Sequence, residues 1–440
     1  MQPIAQTPSS RTADGDRAND RADDRADDPA DDPADDHLAD CLDDHVVRGS
    51  GFIRAGDSNR RGGPNRARGR RIGGDPVPVR IIHLAGSEAA IGEQHGRILR
   101  GIGGYEAAYS YYPSLPGRLL AAGGGRAAHL ATDLARPVFD RLLARLAAAR
   151  PADLAARTQA FARALGQSAE EARFLVVMDL FQNVVGLAGR MGLGPFSRRV
   201  AHAAPPSCSS LAVWGAASVD GRLRHARNFD FPGVGIWEEA PAVVFCTPDE
   251  GVRYGFVTTV GADTVGVTCF NEAGICLSAH TRFHRDVSFR AASVVDVGHL
   301  IVREARCLDD AIRIARAHPT ASTWGLLVSS ASEGRAVVIE TTAKAVEVVE
   351  AGAGDEFAAS TNRYRTPSLQ AGEVSPAPAW IVNSDGRYQT LERTARAGAA
   401  SGGLTAQNLQ ALLGSHICPE VPGHERGGGG TLAMAIGVQS

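Results

Sequence analysis

Aromatic residues make up only 6% of this 440-residue chain, methionine occurs four times, and neither sign of charge prevails: 46 Lys and Arg face 49 Asp and Glu, a formal net charge of -3. The balance removes any global electrostatic ground for expecting nucleic acid or an acidic membrane as a partner. The seven cysteines (41, 208, 246, 269, 276, 307 and 418) form an odd set without a C-x-x-C pair. That argues against a zinc knuckle or a disulfide framework and predicts a reducing compartment. Met1 to Asp16 carries no apolar core for a signal peptide, and the most apolar stretch, Phe174 to Gly189, is broken by Asp179, Gln182 and Asn183. A soluble, cytoplasmic protein is expected. There is no P-loop, no strand-linked G-x-G-x-x-G and no H-E-x-x-H, so nucleotide and zincin chemistry lose their usual support, and no cofactor is expected.

What is present begins with residues that cannot bury a core. Arg17 to Asp44 repeats Arg-Ala-Asp-Asp and Pro-Ala-Asp-Asp units, and Arg48 to Arg71 is rich in Arg and Gly. Residues 1–76 are therefore expected to be a disordered low-complexity tail. Order is predicted from Val77, with a strand through Leu84 and a helix after Gly86-Ser87. From there to about Arg190 the spacing is helical, with Leu130, Leu134, Val138, Leu142, Leu143 and Leu146 in a core stripe.

After Pro205-Pro206-Ser207 the texture changes to short β-like runs: Cys208 to Trp214, Arg222 to Phe231, Ala242 to Cys246, Val252 to Val260, Thr264 to Phe270 and Ile275 to His280. A helical stretch, Ala292 to Ala317, comes next. Strands Trp324 to Ser329, Ala336 to Thr341 and Val346 to Glu350 follow, then helices Ser384 to Ala397 and Thr405 to Leu413. Alternating runs of strands and helices predict an α+β architecture of stacked antiparallel sheets with helices outside.

Cys208 is the best candidate for chemistry, because it lies where a Pro-containing connector meets a strand, whereas Cys246, Cys269 and Cys276 sit inside apolar runs. A three-residue hairpin loop at Val219-Asp220-Gly221 would pair Ser218 with Arg222 and Ser210 with Asp230, placing Asp230 on the face of Cys208. Arg227 would then point to the opposite face, so a bulge or strand end between Arg227 and Asp230 is required if both are to reach the same cysteine. His280 and His284 could share a strand face, but without an acidic or cysteine cluster no metal is expected there. Glu238 and Glu239 are expected to edge a loop.

Five ordered motifs carry a resemblance over about residues 78 to 440. They are Gly92-Glu93-Gln94-His95-Gly96-Arg97, Cys208-Ser-Ser with Asp220-Gly221-Arg222-Leu223 and Arg227-Asn228-Phe229-Asp230-Phe231, Phe270-Asn271-Glu272-Ala273-Gly274, Ser360-Thr361-Asn362-Arg363-Tyr364, and Ser384-Asp385-Gly386-Arg387-Tyr388. Together they resemble the cysteine N-terminal-nucleophile hydrolases, most closely the acyl-CoA:isopenicillin N (6-aminopenicillanic acid) acyltransferase-like autoproteolytic family. Bile salt hydrolase and penicillin V acylase are similar at a greater distance.

The resemblance implies a four-layer αββα Ntn-hydrolase sandwich made as a precursor. Residues 77–207 would form an α-rich propeptide or α-chain, and residues 208–440 a β-chain that stays associated with it after self-cleavage between Ser207 and Cys208. It implies Cys208 as nucleophile and, through its freed amine, as base. Asp230 would hold the ammonium, Arg227 would stand beside the thiolate, Asn362 would donate to the oxyanion, and Arg387 would support the site. The backbone N–H near Thr281 is the expected second oxyanion donor, with His280 and Thr281 facing substrate. The implied substrate is a small acyl amide or an acyl-CoA.

The chain departs from the pattern in having Ser207 where relatives carry Gly and Thr281 where they often carry Asn. It also reaches its end at Thr431 to Ile436, where the family continues with further strands. The rival expectation is an unprocessed, catalytically silent binding or assembly module of the same fold. A homo-oligomer is left open.

Overall fold

Short runs of alternating apolar and small polar residues become strands where turn residues close them, and longer runs of three-and-four spacing become helices. The computed structural model describes residues 53–55, 79–103, 125–168, 177–192, 208–232, 241–259, 262–374, 378–414 and 429–436. Strands β1 (Ile53–Ala55) and β2 (Arg80–Gly86) come first, followed by helices α1 (Glu88–Ile102), α2 (Gly125–Ala148), α3 (Ala152–Leu165) and α4 (Val177–Arg190). Then come β3 (Ser209–Gly215), β4 (Gly221–Pro232), β5 (Pro241–Pro248), β6 (Tyr254–Thr259), β7 (Thr268–Asn271) and β8 (Ile275–Thr281). Helices α5 (Val294–Glu304) and α6 (Leu308–Ala317) precede β9 (Trp324–Ser330), β10 (Arg335–Thr341), β11 (Val346–Val349) and β12 (Phe357–Ser360). The short α7 (Pro367–Gln370), α8 (Pro378–Ala400), α9 (Ala406–Gly414) and β13 (Gly429–Ile436) complete an α+β chain.

Two sheets form among the described residues. The smaller has the order β1-β13-β4-β3-β12 and the larger β11-β10-β9-β8-β7-β6-β5-β2. Every recorded pairing is antiparallel except that of β2 with β5. Alternation along β3 sends Leu211 and Val213 toward Leu391 and Ala395 of α8 and Leu409 and Leu412 of α9. Ala212, with Leu223 and Ala358, turns the other way, onto Leu327, Ala336 and Val338 of the larger sheet. The far face of that sheet, through Leu277, Leu326 and Val328, packs on Val294, Val297, Ile301 and Leu308 of α5 and α6.

The segment between the two sheets also carries polar groups. His225 Nδ1 pairs with Ser329 Oγ at 2.9 Å and Nε2 with Ser278 Oγ at 2.8 Å. Burial lowers the His225 pKa from 6.5 to about 3, with Arg227 adding to the shift, and burial likewise drives His280 well below its ordinary value. Both folded values lie under the unfolded one, so below about pH 6.5 the unfolded chain binds more protons and stability falls. Each such histidine is expected to remove about 1.4 kcal/mol per pH unit between roughly pH 6.5 and its folded value. Denaturation midpoints measured from pH 7 to pH 4 should show this slope, and His225→Gln should flatten it.

Two of the motifs have structural causes. Gly92 and Gly96 lie on α1 where it crosses α3, and a Cβ at either would collide with the backbone carbonyl of Arg157 or Phe161. Between them His95 reaches Asp263 Oδ1 at 3.3 Å. Asn271 closes its hairpin by accepting from Ile275 N at 3.0 Å, while its Nδ2 donates to Val302 and Ala305 carbonyls at 2.9 and 2.8 Å, at the end of α5. Gly274 in the same turn has φ 87°, a backbone that favours glycine.

The sequence expectations differ from the structure in several places, one of them Val138, expected in the core stripe of α2 and found exposed. The stretch Ala292 to Ala317 is two helices, because the chain turns at Ala305 before Cys307 caps α6. The run from Thr264 opens as a 3-10 turn before β7. Strand β12, Phe-Ala-Ala-Ser, has no β-branched residue to announce it, yet it pairs with β3. Within 1–76, Ile53–Ala55 forms β1 beside β13; the remainder of that stretch, Cys41 included, lies outside the described residues, as do Ser207, Glu238, Glu239 and Cys418. No helix among the described residues is long and apolar enough to cross a membrane.

Candidate active site

The hairpin β3-β4 sets the site. Its loop is longer than the expected three residues: Gly215 pairs with Gly221, Ser210 with Arg227 and Ser209 with Asn228. Ser218 instead bridges to Leu404. The expected Ser210–Asp230 pairing is therefore corrected by three residues: Arg227 shares the face of Cys208 without a bulge, and Asp230, expected on that face, lies on the opposite one because β4 runs unbroken between them. Cys208, one step before Ser209, shares the face of Ser210 and Arg227 by simple alternation. Arg227 Nη2 lies 3.8 Å from Cys208 Sγ.

Arg227 is 1% exposed and is held at several points. Nη1 donates to Val267 O and Thr268 Oγ1, Nη2 donates to Ala279 O, and the guanidinium lies 4.8 Å over the Phe229 ring. Burial pushes the Arg227 pKa below its ordinary value, and the Cys208 sulfur acts in the opposite sense. A cation fixed beside a thiol favours the thiolate, which is the reactive form. Asp230 presents its carbonyl 3.8 Å from the same sulfur, and its carboxylate acts electrostatically on Arg227. Cys208 itself is 1% exposed in the intact chain.

The second half of the site comes from α8. Arg387 donates through Nη1 to Cys208 O at 2.6 Å and Ser209 Oγ at 2.8 Å, through Nη2 to Asn362 Oδ1 at 2.8 Å, and through Nε to Asn383 Oδ1 at 2.9 Å. Guanidinium only donates, so both carboxamide oxygens must face it. Asn362 Nδ2 spends one hydrogen on Thr281 O at 2.9 Å and keeps the other. Ser384, one turn before Tyr388, accepts from Asn362 N at 3.1 Å and joins Thr361, which explains the serine of that motif.

Strand β7 pairs with β8 only as far as Ser278. Beyond it the carbonyls of Ala279 and Thr281 take Arg227 and Asn362, and the N–H of Thr281 leaves the strand on the same edge as its carbonyl.

His280 is fully buried, with Nε2 2.8 Å from Ser210 Oγ and Nδ1 3.2 Å from Gly325 O. It braces the strand behind the cysteine. His284 lies past the end of β8, bridged to Glu373 and against the Tyr364 ring. No group of His, Cys, Asp and Glu able to hold a metal occurs among the described residues.

The structure thus gathers Cys208, Arg227, Asn362, Thr281 and Arg387, with Ser210 and His280 behind them, and brings Asp230 to the cysteine through its main-chain carbonyl. Sequence reasoning missed Asn383. Its signal was the four-residue spacing to Arg387, which puts both on one helix face.

No family model matches this chain, and no curated protein matches it. Among solved structures, it is similar to the N-acylethanolamine-hydrolyzing acid amidase ortholog of Caenorhabditis elegans at 15% identity and a TM-score of 0.33, over 50% of this chain and 88% of that one. It is similar to penicillin V acylase from Agrobacterium tumefaciens at 18% identity and a TM-score of 0.25, over 34% of this chain and 51% of the other, about half its length. Likenesses of this size carry no argument about activity, so the functional reading rests on the site.

Proposed function

We propose that this chain is a cysteine hydrolase of the N-terminal-nucleophile kind, a four-layer αββα sandwich made as a precursor that cuts its own Ser207–Cys208 bond. It acts on a carbon–nitrogen amide or an acyl thioester of a small molecule, passing the acyl group to water or to an acceptor amine. The observation that carries this reading is the pair of arginines on Cys208, Arg227 at the sulfur and Arg387 at the carbonyl.

In the cut enzyme the free α-amine of Cys208, with an ordinary pKa near 8, takes the thiol proton. The thiolate attacks the acyl carbon, and the oxyanion that forms accepts from the remaining Asn362 N–H and the Thr281 N–H. One such donor contributes about 2.7–4 kcal/mol of barrier lowering. Collapse expels the amine or thiol, which leaves with the proton held by the α-amine, and an S-acyl-cysteine remains. Water or an acceptor amine then gives up a proton to the same α-amine as it attacks, and the thiolate is released. Asp230 holds the ammonium form between these steps.

The near-complete burial of Cys208 in the intact chain favours the second reading, an uncut and silent module of the same fold. Intact mass of the purified protein separates the two. Two fragments dividing before Cys208 are expected, together with product from an acyl donor that changes when a candidate amine is added. A single full-length chain without acyl transfer overturns the proposal.

A further inference from the structure

Asn383 is 4% exposed, and its Nδ2 has no acceptor although its Oδ1 is fixed on Arg387 Nε at 2.9 Å. A flip of the amide cannot cure this, because it would set an N–H against a guanidinium that has only hydrogens to offer. A buried donor left without a partner is costly, and such groups in native proteins have a reason.

The Nε and Nη2 hydrogens of Arg387 form one edge of its fork. The carboxamide oxygens of Asn383 and Asn362 are thus held by adjacent nitrogens of one guanidinium, at 2.9 and 2.8 Å. The same guanidinium holds the Cys208 carbonyl at 2.6 Å through Nη1. One side chain thus positions the nucleophile, the oxyanion donor and a second carboxamide whose hydrogens are unused.

We infer that Asn383 is a specificity-determining residue whose Nδ2 donates to a second acceptor oxygen of the substrate, carried on the acyl group two bonds beyond the scissile carbonyl. The inference rests on the Cys208 reading above. A 3-oxoacyl group meets the requirement: its two carbonyl oxygens stand as neighbours, as do the two amides. A plain hydrocarbon chain of equal length leaves Asn383 as unsatisfied as it is in the free protein.

The test uses the full chain and matched thioesters of one acyl length, with and without a 3-oxo group. Acylation of Cys208 is followed by intact mass after acid quench. The wild type should be acylated by the 3-oxo thioester about tenfold faster or more. Asn383→Asp keeps an acceptor for Arg387 Nε and loses the donor, so the ratio should fall to about one or below, with a melting midpoint no lower than that of the wild type.

A wild-type ratio near one overturns the inference while leaving the Cys208 reading intact. So does an Asn383→Asp variant that keeps the wild-type ratio but is slower with both thioesters, since that is the signature of a donor to the oxyanion itself. Failure of either thioester to acylate Cys208, with an uncut chain, overturns both.

Discussion

Cys208→Ala is expected to leave the chain full-length and turnover undetectable, and Cys208→Ser to lower turnover by about 10^3-fold or more, each read by intact mass and by product formed from an acyl donor. The alanine removes the sulfur that both self-cleavage and acyl transfer require. The serine keeps the shape but not the acidity, because an alkoxide is far harder to form than a thiolate at neutral pH. Arg227 sharpens the contrast. Its Nη2 stands 3.8 Å from the sulfur, at a distance suited to a diffuse anion, while Nη1 is fixed on Val267 and Thr268 and Nη2 also on Ala279. An intact fold with a fully active Cys208→Ala variant would remove the thiol from the mechanism.

Arg157→Met should destabilise the protein by about 3–5 kcal/mol, read as a shift in the denaturant midpoint. Arg157 on α3 is 2% exposed and donates to Asp263 at 2.8 and 2.6 Å, to Glu88 at 2.9 Å and to Tyr254 Oη at 2.7 Å. Burial works to raise the Asp263 pKa, and Arg157 overcomes it so that the carboxylate is held well below its usual range. Removing the cation leaves that buried carboxylate without its guanidinium and with His95, at 3.3 Å, as its remaining side-chain partner. Glu88 keeps His299 and Arg303, each at 3.3 Å, which limits its share of the loss. Removing both ends together, as Arg157→Met with Asp263→Leu, should recover part of the stability, because the loss comes from an uncompensated charge rather than from the pair. A single variant as stable as the wild type would show that the charges are solvated.

Much of this was legible in the chain. The strands after Cys208 announced themselves through alternation, and Cys208 was separable from Cys246, Cys269 and Cys276 because those sit inside apolar runs, which form β5, β7 and β8, whereas Cys208 stands just before β3. The register of β3 on β4 was not legible. It depends on whether Ser218 closes the hairpin or leaves it for Leu404, and that is settled by a residue almost two hundred positions away. Strand β12 was missed for the same reason: Phe357–Ser360 is a strand because β3 offers it a ladder, not because its residues prefer one. Arg387 could be singled out by its motif, whereas its four simultaneous acceptors are a property of tertiary structure. Asn383 became visible only as an amide whose oxygen was taken and whose nitrogen was not.

The parallel pairing of β2 with β5 reaches beyond the site. The strand Arg80–Gly86 precedes helices α1 to α4, yet it is laced into the larger sheet by main-chain hydrogen bonds. A break anywhere between α4 and β3 would give two polypeptides sharing both sheets, through β2 on β5 and β1 on β13, woven together rather than merely touching. Produced in separate cells, the halves should recombine slowly and incompletely on mixing, whereas halves translated together should yield the whole, so any split version of this protein has to be assembled at birth.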